Sequence, residues 1–527
     1  MYFKTDVGIN TLTVSLSIVF TCIYIYLSKR FACINEFIKN NIWKINTSIY
    51  IVFAIIISLL LYRPACLLDS YNFQAYYNNV VQIYNGIPYS TDALSYYGHY
   101  ALIYLPFFKL LGLNIYTVQF TQSVEMIFIL FSLFYWIKKT IRNYNVSFFV
   151  IVSVILFYIV ESSGGLYPQG IPHRHVSLGV VLLAILLTDK VKKITRCVIF
   201  YFLGVIFIIW NTDMGIVYAL SLLIYLFFSF KESVVEIFIS VLSLAIGEFF
   251  ASYFITSCLN IVVLGGRWMS IKTFVYPLLQ VDILPLQPSY SNIIWILCLM
   301  FYCFILGNEL YYKVMGLQSN SILAMFSAMG IMLFVYFYNR AAWTNLIMSE
   351  FIVAILVAAI KFDEAYEKEL VNNYSKCSYI VGLLSILFLC GIIYILPTGL
   401  RCAQTYWDMN NTYNYLTNFE KSLPVDDCYM FGSTSAYHQI LSPKIKSIQW
   451  DDVNHSPSSW IELEDFIMNH NHSFVVQETE LSDAICYWTS VDREGLAEFY
   501  DSSHISVDYI DANGEKHIFN YMLFEPK

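Results

Sequence analysis

Residues 66–112 read CLLDSYNFQAYYNNVVQIYNGIPYSTDALSYYGHYALIYLPFFKLLG. The stretch lies between two apolar runs of membrane length, 46–63 and 116–136. Between Asp69 and Gly86, Phe73, Tyr76, Tyr77, Val80, Val81 and Tyr84 recur at spacings of three and four, which predicts a helix with one aromatic and apolar face. Gly86 and Pro88 end it. A second amphipathic segment, Tyr96 to Leu111, ends at Gly112. Two helices at a membrane surface, with a carboxylate at the start of the first, suggest a lipid-facing site. An interfacial loop without chemistry is the plainer alternative.

The rest of the chain supports a membrane setting. Its 527 residues are 58% hydrophobic and 13% charged, with mean hydropathy +0.59. A soluble core cannot bury so much apolar sequence. About twelve spanning segments are expected: 9–28, 46–63, 116–136, 146–160, 175–188, 197–211, 214–229, 233–263, 292–312, 320–338, 345–360 and 378–396. The run 233–263 is long for one span, holds Glu248, and could be kinked, tilted or two pieces. Lys29-Arg30 follows the first run where a cleavage site would need small residues, so that run is expected to stay in place. The twelve cysteines are scattered with no CxxC pair, which argues against a metal finger or redox motif.

Lysine and arginine orient the chain. One set of loops carries sixteen, from Lys29 to Lys376, and the opposite set seven. The positive-inside rule puts the sixteen in the cytoplasm and loop 64–115 outside. Residues 398–527 hold twenty acidic and seven basic residues, a net of −13. They alternate short strand and helix patterns: a helix at 405–420, strands at Cys428–Phe431, 446–450 and Phe474–Gln477, and helices near 434–441 and 458–469. A hairpin, Ile505–Ile510 with His517–Leu523, closes on Asn513-Gly514. The expected domains are therefore 1–397, a membrane helix bundle, and 398–527, a small soluble extracytoplasmic α/β domain.

The first outer loop resembles that of the GT-C superfamily of membrane glycosyltransferases, bacterial type. The resemblance rests on Asp69 just past a span, Gly86-Ile87-Pro88-Tyr89, Asp92, Tyr97-Gly98-His99-Tyr100, and Pro106 to Gly112. It implies a mainly α, polytopic bundle that takes sugar from a polyprenyl-phosphate donor. The acceptor would be an extracytoplasmic glycan, lipid-linked glycan or protein. The setting would be the inner membrane, with membrane lipids around it and no nucleic acid. A polysaccharide polymerase or ligase is the alternative enzyme, and a flippase-type transporter the alternative from another class.

Such transfer needs a base for the acceptor hydroxyl, cations for the departing phosphate and an apolar groove for the prenyl chain. Asp69 is the expected base, although Asp is also a favoured helix cap. His173-Arg174-His175, after a Gly- and Pro-rich loop, offers a guanidinium for phosphate oxygens and two imidazoles; an interfacial anchor is the alternative. Glu161 could orient Arg174 or act as a second acid. Asp213, in Trp210-Asn211-Thr212-Asp213, would bind an acceptor hydroxyl or start a helix. Arg267 and Arg340 are further phosphate candidates, and Tyr97 and His99 would line the sugar site. No D-x-D stands in the outer loops, so no metal is expected, although some family members use a divalent cation. No nucleotide-binding glycine motif is present either.

Overall fold

The computed structural model describes residues 32–61, 70–90, 94–163, 170–230, 233–279, 293–339, 343–369, 409–424, 428–431, 445–447, 469, 472–478, 493–510 and 514–527. Ten of the twelve expected segments overlap a described helix, labelled here in chain order among the described helices. These are α1 (Ala32–Leu61), α4 (Ile115–Thr140), α5 (Tyr144–Ser163), α6 (His173–Thr188), α7 (Lys193–Trp210), α8 (Thr212–Ser229), α9 (Val234–Val262), α11 (Ile293–Val314), α12 (Ser321–Asn339) and α13 (Trp343–Glu369). A single short turn of helix, α10 (Ile271–Phe274), follows α9. The expected spans 9–28 and 378–396 lie outside the described residues. By length and composition, four of the described helices can cross a membrane: α4 from Tyr116, α7, α8 and α9. The run 233–263 is one helix of 29 residues.

Asparagines open several of these apolar helices. Asn114 accepts from the Tyr116 and Thr117 amides at the start of α4, while Thr117 Oγ1 accepts from the Asn114 amide. Asn211 Oδ1 accepts from the Met214 amide at the start of α8. Asn320 does the same for Ile322 and Leu323 at the start of α12. Each satisfies amides that an apolar helix start leaves without an intrahelical acceptor.

The bundle is held by α7 on α8, α8 on α12, α11 and α13 on α12, and α4 on α6. Helix α9 lies on α7 with one face outward. Phe238, Leu242, Ile246, Phe250 and Phe254 are exposed, the surface expected against lipid tails. Its inner face is polar: Glu248, Ser252, Thr256 and Asn260, four residues apart, are all buried. Ser252 Oγ donates to the Val205 carbonyl of α7 at 3.2 Å.

Loop 64–115 forms α2 (Ser70–Tyr84) and α3 (Tyr100–Leu111), packed on each other. The second starts four residues later than the aromatic pattern suggests. Gly98 has φ +115°, outside helical geometry, and Ser95 Oγ donates to its carbonyl, so 95–98 turns before the helix begins. Helix α3 ends at Gly112, φ +80°, as expected.

Toward the C-terminus, β1 (Cys428–Phe431), β2 (Ile445–Ser447), β3 (Phe474–Gln477), β4 (Tyr500–Ile510) and β5 (Lys516–Pro526) form one sheet, order β2-β1-β3-β5-β4. The β1 pairings are parallel, and β5 is antiparallel to both β3 and β4. Helix α14 (Met409–Ser422) lies on β4, with Tyr415 and Phe419 against Tyr521. The hairpin strands are longer than expected, and α15 (Arg493–Phe499) was not foreseen. The helices expected near 434–441 and 458–469 fall outside the described residues, apart from Asn469.

Candidate functional site

Loop 64–115 is fastened to the bundle by three kinds of contact. The His99 amide donates to the Ile209 carbonyl at 2.7 Å. Gly98 lies so close to the turn between α7 and α8 that a Cβ there would meet Asn211 Cα at 2.7 Å and the Trp210 carbonyl oxygen and Thr212 nitrogen at 2.8 Å. Asn260, at the C-terminal end of the polar row on α9, pairs with both backbone groups of Tyr89. It accepts from the Tyr89 amide at 2.8 Å and donates to the Tyr89 carbonyl at 3.0 Å. Its Nδ2 also donates to the Arg267 carbonyl at 2.9 Å.

This docking brings together residues far apart in sequence. Arg174 opens α6 at 5% exposure, with its guanidinium 5.7 Å from the centre of the Tyr97 ring. A cation over an aromatic face is attracted by the ring quadrupole. His173 stacks on Trp210, centroids 5.0 Å apart, and meets Tyr100 edge-on at 4.6 Å. Its Nδ1 lies 3.1 Å from the Tyr76 hydroxyl, and the Trp210 indole N–H donates to its carbonyl at 2.9 Å. His99 stacks on Phe274 of α10 at 5.1 Å and meets Tyr89 edge-on at 4.8 Å. Neither His99 ring nitrogen makes a hydrogen bond among the described residues, and burial pulls its pKa down to about 3. The ring is therefore neutral at physiological pH.

Thus Tyr97, His173 and Arg174 converge, and His99 lies one residue beyond Gly98 on the same docked turn. The other candidates are placed differently. His175 points into the bundle: its Nδ1 pairs with the Tyr158 hydroxyl at 2.7 Å and its Nε2 with the Met348 carbonyl at 3.0 Å. Asp213 sits half-buried in the first turn of α8 and accepts from the Met214 amide at 2.7 Å, with Asn211 as the cap. Arg267 is exposed beside the Tyr89 turn. Glu161 lies in the last turn of α5, and its side chain is outside the described set. Asp69 and Arg340 lie outside the described residues.

Sequence reasoning did not single out Tyr76 and Tyr104 as polar participants, since their ring spacing marks only an apolar face. Trp210 was noted only as part of its hairpin. Their roles come from partners 20 to 100 residues away. Chemically, the cluster offers a buried guanidinium suited to a phosphate and flat aromatic faces suited to a sugar ring or prenyl chain.

A scan of protein-family models finds no match, and a search of curated proteins finds none. Among solved structures, the chain is similar to the crystal structure of ArnT from Cupriavidus metallidurans bound to undecaprenyl phosphate. The identity is 11% and the TM-score 0.51, over 90% of this chain and 97% of that one. At that identity the likeness is one of architecture. The likeness extends over nearly the whole of both chains, so this chain shares the overall fold of that structure.

Proposed function

We propose that this chain is a membrane glycosyltransferase taking its sugar from a polyprenyl-phosphate donor and passing it to an extracytoplasmic glycan, lipid or protein acceptor. The observation that carries the reading is the buried Arg174 guanidinium, held against Tyr97 where the first outer loop docks, in a fold shared with a structure that binds undecaprenyl phosphate. In this reading Asp69 takes the proton of the acceptor hydroxyl. The hydroxyl oxygen attacks the anomeric carbon, and the polyprenyl phosphate leaves onto Arg174 and Arg340. A single displacement of this kind inverts the anomeric configuration. Tyr97 and His99 border the sugar, His173 and Arg267 add contacts on the phosphate side, Asp213 meets the acceptor hydroxyl, and Glu161 orients Arg174. His175 contributes through the bundle, by fixing α6 against α5 and α13. No resident cofactor enters the scheme. The protein would sit in the inner membrane with loop 64–115 and residues 398–527 outside.

The test uses the full chain in lipid nanodiscs with a panel of polyprenyl-phosphate sugars, products being scored by mass spectrometry. Wild type is expected to turn over at least one donor, Asp69→Asn to lose turnover while still inserting, and Arg174→Ala to bind donor more weakly. Specific lipid binding without turnover of any donor would overturn the transferase reading. Full turnover in Asp69→Asn would overturn the base assignment.

A further inference from the structure

Behind His173 runs a chain of hydrogen bonds that leads away from the site into the bundle. The His173 Nδ1 is 3.1 Å from the Tyr76 hydroxyl of α2. That hydroxyl is 3.0 Å from the Tyr104 hydroxyl of α3. Tyr104 in turn is hydrogen-bonded to Glu125 Oε1 of α4. All four residues are largely enclosed, and Glu125 Oε2 makes no hydrogen bond among the described residues. The titratable neighbours of Glu125 among the described residues are Tyr104 on α3 and Tyr76 and Tyr77 on α2. No described ion pair involves it. Next to His173 stand Arg174, Tyr76, Tyr100 and the backbone of Tyr97, which favours a proton on the ring.

Counting protons along the chain constrains it. Three contacts need three protons, and each phenol supplies one. The third must come from one end, either the Glu125 carboxyl or the His173 Nδ1–H. With Glu125 ionised, Tyr104 donates to it, Tyr76 donates to Tyr104, and His173 Nδ1–H donates to Tyr76. The Nε2 of the neutral ring then carries a lone pair. With Glu125 protonated, every bond in the chain reverses and Nε2 carries the hydrogen.

We propose that Glu125, acting through Tyr104 and Tyr76, is a positioning residue that selects the tautomer of His173. One proton interconverts the two states. It bonds to Nε2, the Nδ1 proton passes to Tyr76, that of Tyr76 to Tyr104, and that of Tyr104 to the Glu125 carboxylate. The phenols and the ring end as neutral as they began, and the only net change is carboxylate to carboxylic acid. In one state His173 accepts a hydrogen bond at Nε2, as a hydroxyl would offer. In the other it donates one, as a phosphate oxygen would take. This use of the tautomer rests on the transferase reading; the coupling itself does not.

The test is spectroscopic and needs no turnover. The protein carrying 15N-histidine is placed in nanodiscs, and the His173 resonances are identified by their loss in His173→Gln. Wild type is expected to hold one tautomer predominantly at a given pH. Tyr104→Phe keeps the ring but cuts the chain, and should lower the tautomer ratio by about tenfold, the equivalent of one net buried hydrogen bond. Glu125→Gln removes the titrating end and should abolish the pH response of the ratio, so the test survives if Tyr104→Phe does not fold. The same ratio and pH response in wild type and in whichever variants fold would overturn the proposal. Absence of turnover with every donor would count against the transferase reading alone.

Discussion

Gly98→Ala is the sharpest perturbation the outer loop offers. The glycine has φ +115°, which a residue with a Cβ adopts only at a cost of about 1–3 kcal/mol. The added Cβ would also stand 2.7–2.8 Å from three backbone atoms of the turn at 210–212. Backbone cannot rotate away as a side-chain tip can, so the loop itself must lift, and overpacking of this kind costs about 1–3 kcal/mol more. The sum is on the order of 2–6 kcal/mol, enough to compete with the His99 to Ile209 hydrogen bond that holds the turn.

Gly86→Ala separates the two terms. Gly86 also has positive φ, +83°, but nothing lies within 4 Å of its would-be Cβ, so only the backbone cost of about 1–2 kcal/mol applies. The assay is hydrogen exchange over residues 94–102 together with thermal unfolding and transfer rate, all in nanodiscs. Gly98→Ala is expected to expose 94–102 to exchange and to lose about 100-fold in transfer, because Tyr97 and His99 move by the better part of an ångström. Gly86→Ala should leave exchange over 94–102 unchanged. Protection of 94–102 in Gly98→Ala equal to that in wild type would refute the docking argument.

Three further outcomes follow from the packing. Asn260→Ala removes one acceptor and one donor contact to Tyr89 and a donor contact to the Arg267 carbonyl, so a loss of about 2–4 kcal/mol is expected in chemical denaturation; a loss under about 0.5 kcal/mol would contradict it. A Cβ on Gly204 would meet the Glu248 carboxyl carbon at 2.4 Å, so Gly204→Ala should cost about 1–3 kcal/mol, and Glu248→Ala in the same chain should recover most of that; strict additivity would show that the two do not touch. His99, neutral when folded down to about pH 3, takes a proton near pH 6.5 once unfolded. Below pH 6.5 the unfolded chain binds the extra proton, so stability is complete above that pH and falls toward pH 3, at up to about 1.4 kcal/mol per unit. Comparison with His99→Gln checks it: that variant should lack the added slope.

The fold was legible where one physical signal dominates. Apolar runs located ten of the described helices, four of which are long and apolar enough to cross a membrane. The β1 and β3 limits match the sequence reading residue for residue, because short runs rich in aromatic and β-branched residues mark them. The start of α3 was not legible. Tyr96 and Tyr97 share its aromatic pattern, and only the approach of the 210–212 backbone to Gly98 shows why the chain turns there. The same holds at the site. Arg174 could be named because a guanidinium at a span end is conspicuous, whereas His175, its neighbour, pairs inside the bundle through Tyr158 and Met348. One position along a helix is a rotation of about 100°, which composition does not resolve. Asn211 rather than Asp213 caps α8 for a similar reason: two capping residue types stood two apart, and backbone geometry selected the first.

The buried carboxylates bear on whether the bundle is built as a transport path or as a support. A transporter places such acids along a route for substrate or ions. Here Glu125 is tied through Tyr104 to α3, an element of the outer loop. Glu248 fills the notch left by Gly204, at one end of a polar row whose other end, Asn260, grips the Tyr89 turn. Glu125 is thus hydrogen-bonded to that loop, and Glu248 shares a helix face with the asparagine that grips it. A hydrogen bond inside an apolar bundle is directional where dispersion contacts are not, so each connection fixes the register of loop against helix. Tyr97 and His99 owe their positions to that register. Substitutions at Glu125 and Asn260 should therefore alter exchange in 94–102 although neither residue lies in that segment, whereas a transport path would predict altered ion or substrate passage with the loop unmoved.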